Sequence, residues 1–192
     1  VNHATDLPFT RMLSGPMDYT PGVFQLNNFR YDSPETKNID KGAIVPSTIG
    51  KELALYVVYY SPMQMAADLP KHYSKHMDAF AFIKNVPVDW SERKILNSEF
   101  REYVCMARKD KYSENWYVGG ITNENERDLK IDFSFLESGK EYTMKMYLDT
   151  QNTHWKENPM EYQITEREVS ANDNIDIYLA PGGGFAIEII AK

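Results

Sequence analysis

At 192 residues the chain suits one large domain or two small ones, and its 42% hydrophobic and 26% charged content is ordinary for a globular protein. A net charge of −7 and a pI near 5.1 exclude nucleic acid and anionic membrane surfaces as partners, since both are held by clustered Lys and Arg. The longest apolar run, Leu53 to Tyr60, falls far short of the roughly 20 residues that a membrane span needs, so the chain reads as soluble.

In chain order, Leu7 to Leu13 carries Pro at a position favoured in a helix first turn, which predicts a short helix stopped by Gly15-Pro16. The stretch from Pro16 to Gly22 is bounded by prolines and allows at most a short strand feeding a loop. Residues 23 to 46 hold no sustained periodicity and read as a long loop, a kind of segment that is more often functional than not. Ser47 or Thr48 supplies an N-cap for a helix expected to run to about Ala67, kinked at Pro62 and ended by Asp68-Leu69-Pro70. Its Leu53–Tyr60 stretch is apolar on every side and must be covered on more than one face. A shorter helix is expected from about Tyr73 to Lys84, closing at Val86-Pro87.

From Trp90 onward the period changes to two. Clean alternation marks Leu129 to Phe135, Tyr142 to Leu148, Ile175 to Leu179 and Phe185 to Ile189. Weaker strands fit Val104–Arg108, Trp116–Ile121 and Tyr162–Val169, with another around Lys94–Leu96. Seven or eight short strands separated by turn residues predict an antiparallel two-sheet domain, with Phe133, Phe135, Met144, Met146, Ile175 and Ile177 inward.

Most features that suggest chemistry have a plainer reading. Cys105 is the single cysteine, so no internal disulfide is possible, and its alternating apolar surroundings predict a buried inert thiol. Pro181-Gly182-Gly183-Gly184 lacks the Lys-Ser/Thr of a phosphate-binding loop and joins two alternating strands, which predicts a hairpin turn. His72 and His76 have the i, i+4 spacing of zinc proteases and would share a helix face, but no Glu follows the first His, which favours surface or packing roles. Trp90, Trp116-Tyr117 and Trp155 could stack against sugar rings or fill a core, with Trp155 the best placed of them for exposure. Asp18 is the one carboxylate in a suggestive place, at the end of a short strand before a long loop. There it faces either a pocket or a structural pairing with Arg11.

Several motifs, taken together, resemble glycoside hydrolase family 97, whose members are α-glucosidases and α-galactosidases. They are Leu7-Pro8-Phe9-Thr10-Arg11, the run Gly15 to Gly22, Leu53 to Pro62, Ala67 to Pro70, Ala107-Arg108, Trp116 to Thr122, Phe133 to Leu136 and Pro181 to Phe185. The likeness covers essentially the whole chain in order, and the first motif is the most specific. It implies an α+β chain in which residues 1–88 are the C-terminal part of a (β/α)8 catalytic barrel, with its final strand at Pro16–Tyr19. Residues 89–192 would then be the terminal antiparallel β-sandwich.

The resemblance also implies a calcium-dependent parent that cleaves α-glucosidic or α-galactosidic bonds, periplasmic or secreted in bacteria. Its N-terminal sandwich and remaining barrel would be partners of this portion. Asn2 stands where the family usually has its general-acid Glu, followed by His3. The main carboxylates and the calcium-binding glutamates are expected upstream of Val1, with no metal held by this chain and no activity of the chain alone. His3 and Asp18 are therefore the pocket candidates. Under this reading one side of the helix from Ser47 packs on the β domain, while the other faces a barrel surface that the chain does not supply. The reading from a different class is a non-catalytic carbohydrate-binding or scaffolding β module, which exposed aromatics on one β face would favour.

Overall fold

A computed structural model describes residues 1–27 and 44–192. The expected long loop at 23–46 therefore falls largely outside the described residues. Helix α1 (His3–Asp6) leads into two 3-10 turns, Leu7–Phe9 and Arg11–Ser14, in place of the single helix expected from Leu7 to Leu13. The strand expected at Pro16–Tyr19 is reduced to one parallel bridge between Tyr19 and Gln64.

Helix α2 spans Ile49–Val58, capped by the Thr48 hydroxyl, which accepts the Lys51 backbone N–H. It does not reach Ala67. The ring of Pro62 would collide with the carbonyl four residues back, which is that of Val58, and the backbone turns extended at Tyr59. In place of the helix expected from about Tyr73 to Lys84 stand α3 (Pro70–Tyr73) and α4 (Met77–Asn85), separated because His76 leaves the helical region.

Eight strands follow, where seven or eight were expected, and burial alternates along β4 and β5 as predicted. A six-stranded antiparallel sheet has the order β1-β2-β3-β8-β5-β6, formed by Trp90–Glu99, Tyr103–Asp110, Trp116–Thr122, Gly184–Ala191, Tyr142–Leu148 and Gln163–Val169. Strands β4 (Arg127–Asp132) and β7 (Asn174–Leu179) pair as a separate two-stranded sheet. Since β7 and β8 lie in different sheets, the Pro181–Gly184 stretch is a sheet-to-sheet corner and not the expected hairpin. Its Gly182 does have positive φ, +67°, and carries Trp155 so closely that a Cβ would lie 2.6 Å from the indole.

The large sheet is covered on both faces, by residues that alternate along each strand. Val104, Met106, Tyr117, Ile121, Tyr147 and Ala186 face the helices. Cys105, Ala107, Trp116, Val118, Met144, Met146, Phe185, Ile187 and Ile189 face the β4–β7 layer. Phe133 and Ile177 are buried in that second core, with Phe135 and Ile175 partly buried against it. Burial pushes the Cys105 thiol up to about 12, so it is inert at neutral pH.

All ten residues of α2 are buried, so the uncovered side expected for it is not found; past its end, only Tyr60 is half-exposed. The chain folds its own segment over the helix, with Phe24 and Leu26 in the same core. Burying Leu53, Leu55, Val57 and Val58 contributes about 1.5–3 kcal/mol each. The helix approaches the sheet through Gly119, where a Cβ would stand 2.8 Å from the Ala54 carbonyl oxygen and 2.9 Å from Val57 Cβ. Gly119→Ala is accordingly expected to cost about 1–3 kcal/mol, read as a lower urea midpoint. An unchanged midpoint would show that the helix can move aside.

Candidate functional site

The helical side is organised around carboxylates that hold backbone. On α2, Glu52 Oε2 accepts the N–H groups of Gly22 and Val23 at 2.9 and 3.0 Å. Beyond it, Asp68 Oδ2 accepts those of Phe24 and Gln25 at 2.8 and 2.7 Å. Four consecutive N–H groups of an otherwise irregular segment are thus satisfied by two side chains. Tyr73 adds to this by donating its hydroxyl proton to the Gly22 carbonyl at 2.7 Å while accepting the Asp68 N–H. The hydroxyl of Tyr56 reaches the Pro21 carbonyl at 3.1 Å, and that of Tyr59 donates to the Ala4 carbonyl at 2.7 Å.

Burial raises the Glu52 carboxyl above its ordinary range, against the bonds from Ser47, Val23 and Gly22. For Asp68 burial works in the same sense, but the bonds from His72, Gln25, Leu69 and Phe24 together hold the carboxyl below its usual range. Carboxylates saturated in this way brace the chain and are not free to transfer protons to a substrate. Neither was singled out from sequence. The available signal was a charged Lys51-Glu52 pair opening a helix that is otherwise apolar all round.

Asp18, four residues before the first of these braced N–H groups, has an exposed side chain. The competing pairing with Arg11 is not formed, because Arg11 donates to the carbonyls of Gly15 and Pro16 instead. His3 is exposed on α1. Of the other described acids in the first 88 residues, Asp6 pairs with Arg101 at 3.4 Å and Asp78 accepts from Tyr162 at 2.7 Å, while Glu52 and Asp68 hold backbone. Asp32, Glu35 and Asp40 lie outside the described residues. Among the described acids of this region, Asp18 is thus the one with no hydrogen bond or ion pair to the chain.

The two histidines at i, i+4 do not share a helix face. His72 Nδ1 pairs with Asp68 Oδ1, while His76 sits before α4 with Nδ1 at 3.1 Å from the Tyr162 hydroxyl. The candidate aromatics are dispersed. Trp116 is buried between the sheets beside Phe135, Trp90 packs edge-on against Tyr117, and Trp155 is half-buried on Gly182 beside His154. They make no common sugar-stacking face. What the β domain does present is a packed seam with α2.

At that seam lies a second buried charged group. Lys51 donates through Nζ to the Thr122 carbonyl at 3.0 Å, and Asp149 Oδ2 accepts the Gly184 N–H at 2.7 Å. Burial lowers Lys51 to about 8 and raises Asp149 to about 7. The Asp149 carboxyl ordinarily titrates at 3.8, so between that pH and about 7 the folded chain binds the extra proton. Stability from this group is therefore present at low pH and lost as pH rises through that window. Asp149→Asn is expected to flatten the melting temperature against pH between 4 and 7, by circular dichroism. Parallel curves for the two proteins would refute the assignment.

Comparison with known proteins follows the same arrangement. A family profile described as "Glycosyl-hydrolase 97 C-terminal, oligomerisation" matches residues 89–190. A retaining alpha-galactosidase of Bacteroides thetaiotaomicron is 34% identical over 98% of this chain and 27% of its own length. A probable retaining alpha-galactosidase of Streptomyces bingchenggensis is 28% identical over 96% of this chain and 25% of its own. A glycoside hydrolase family 97 enzyme from Pseudoalteromonas sp. strain K8, solved with panose and with acarbose, superposes with a TM-score of 0.90. It is 42% identical over 100% of this chain and 28% of its own. The chain thus spans about a quarter of the length of the curated relatives it matches.

Proposed function

The chain belongs to glycoside hydrolase family 97, of which it is a C-terminal portion, and from that premise we propose that its parent cleaves α-galactosidic or α-glucosidic bonds, with residues 1–88 closing the catalytic barrel and 89–192 forming the terminal β domain. The observation that carries this reading is the unbroken likeness of both halves to one enzyme, at a TM-score of 0.90 over the whole chain. Both sugar classes stay in the proposal, because one relative is named for α-galactosides and another was solved with panose and acarbose.

In this reading Asp18 and His3, both with exposed side chains, face the substrate pocket, and Glu52 and Asp68 hold the backbone that follows Asp18. Glycosidic hydrolysis needs two carboxyl groups across one bond, about 5 Å apart for retention and 6.5–9.5 Å for inversion. With Asp18 as the one free acid of the described barrel portion, the main pair would come from the rest of the parent. Calcium is proposed for the whole enzyme alone. Among the described residues no group of three or more His, Cys, Asp or Glu converges, so none is offered as a ligand and no step is routed through the ion.

The test is an assay with 4-nitrophenyl α-galactoside and α-glucoside. The 192-residue chain is expected to show no turnover. In the full-length parent, Asp18→Asn is expected to lower kcat/KM by about tenfold or more, the loss of one substrate hydrogen bond. Turnover by the chain alone that survives repurification, and disappears with Asp18→Asn, would place the catalytic centre within these 192 residues and overturn the reading.

A further inference from the structure

Strands β1 and β2 pair in a register that sets Arg93 directly opposite Arg108. Like charges at facing positions of an antiparallel pair repel. Among the described residues no acid lies within ion-pair distance of either arginine, whereas Arg101 and Arg127 each have one. Arg108 is moreover 5% exposed, with Nε donating to the Val57 carbonyl at 2.6 Å, in the last turn of α2. Its guanidinium lies 5.5 Å from the centre of the Tyr60 ring. A buried cation facing a second cation is costly unless an anion joins them. Burial and the nearby Arg93 accordingly lower the Arg108 guanidinium to about 10.

Both arginines line a cavity of about 480 Å³ between the first sixteen residues and the sheet. Leu13, Pro16, Ile95 and Met106 make much of its wall, and Leu13 and Ile95 are 78% and 58% exposed. The space is larger than one carboxylate requires and its walls are apolar. The chemistry that fits it is a carboxylate on an apolar stem, met by two guanidinium forks.

We infer that the Arg93–Arg108 cavity is the socket for an aspartate or glutamate side chain with apolar neighbours, supplied by the part of the parent enzyme outside this chain. Two features point to that source. The Pseudoalteromonas relative has 72% of its length beyond the portion matched here, and one wall of the cavity is built by residues 8–16, which the proposed function assigns to the barrel. The inference rests on that reading. The existence of a longer parent is checked separately, by the mass of the protein purified from its native gene.

The experiment measures phenylglyoxal labelling at each arginine by mass spectrometry, normalised to exposed Arg167. In the 192-residue chain, Arg93 and Arg108 are expected to label and to be protected by sodium butyrate but not by n-butanol. Arg93→Gln alters an exposed side chain, so the fold is expected to survive with an unchanged melting temperature. The butyrate concentration needed to protect Arg108 should then rise about tenfold, the equivalent of roughly 1.4 kcal/mol. In the full-length enzyme Arg108 is expected to label at least tenfold more slowly without butyrate. Indifference to butyrate in the chain, or equal labelling in chain and full-length enzyme, would overturn the inference. So would protection that appears only as protein concentration rises, which would assign the socket to a second copy.

Discussion

Helix α2 lies against β3 at a separation that only glycine allows: at residue 119 a Cβ would stand 2.8 Å from the carbonyl oxygen of Ala54. The neighbouring Gly120 serves the opposite face, where a Cβ would lie 2.3 Å from the Phe185 ring. Two adjacent glycines thus let one strand be approached closely from both sides. With α2 so near, Arg108 reaches its last turn and Lys51 reaches the Thr122 carbonyl, so sheet and helix exchange polar as well as apolar contacts. The segment from Pro21 to Leu26 then closes over the far side of the helix.

Much of the strand layout was legible in the sequence, and the differences in clarity have a physical cause. Strands β4, β5 and β7 alternate visibly, since one set of residues enters the second core while the other meets solvent or a thinner cover. Strands β2 and β3 were fainter because layers cover both faces; every residue of β3 is buried, which erases the period-two signal. The Pro181–Gly184 stretch does turn, with Gly182 at positive φ, but it is not the hairpin expected, because local sequence does not say that its two strands belong to different sheets. The over-long second helix came from treating Pro62 as a kink within it, when the ring instead ends the helix at Val58.

The candidate site was less legible. Asp18 and His3 were candidates from motif position alone, and the groups that brace the segment after Asp18 were not named. The partners of Glu52 and Asp68 are backbone N–H groups, which carry no side-chain signature, and they lie 29–44 residues away in sequence. Likewise, the opposition of Arg93 and Arg108 depends on strand register, with irregularities in β1 on either side of it. The helix face that His72 and His76 were expected to share is absent, since i, i+4 has meaning only on a continuous helix and the helix breaks between them.

The shared core around α2 bears on how such a chain is inherited. The family profile begins at residue 89, and the helix that fills one face of the sheet ends at Val58. Cutting at that border would lay bare Val104, Met106, Tyr117, Ile121, Tyr147 and Ala186. Domains that recombine freely among genes are those whose surfaces are complete at the point of joining. Here the seam is interior on both sides, so a recombination event at residue 89 would give two products with open cores. Descent is therefore expected to transmit the β domain and α2 as one block, with substitutions on either side of the seam changing in step.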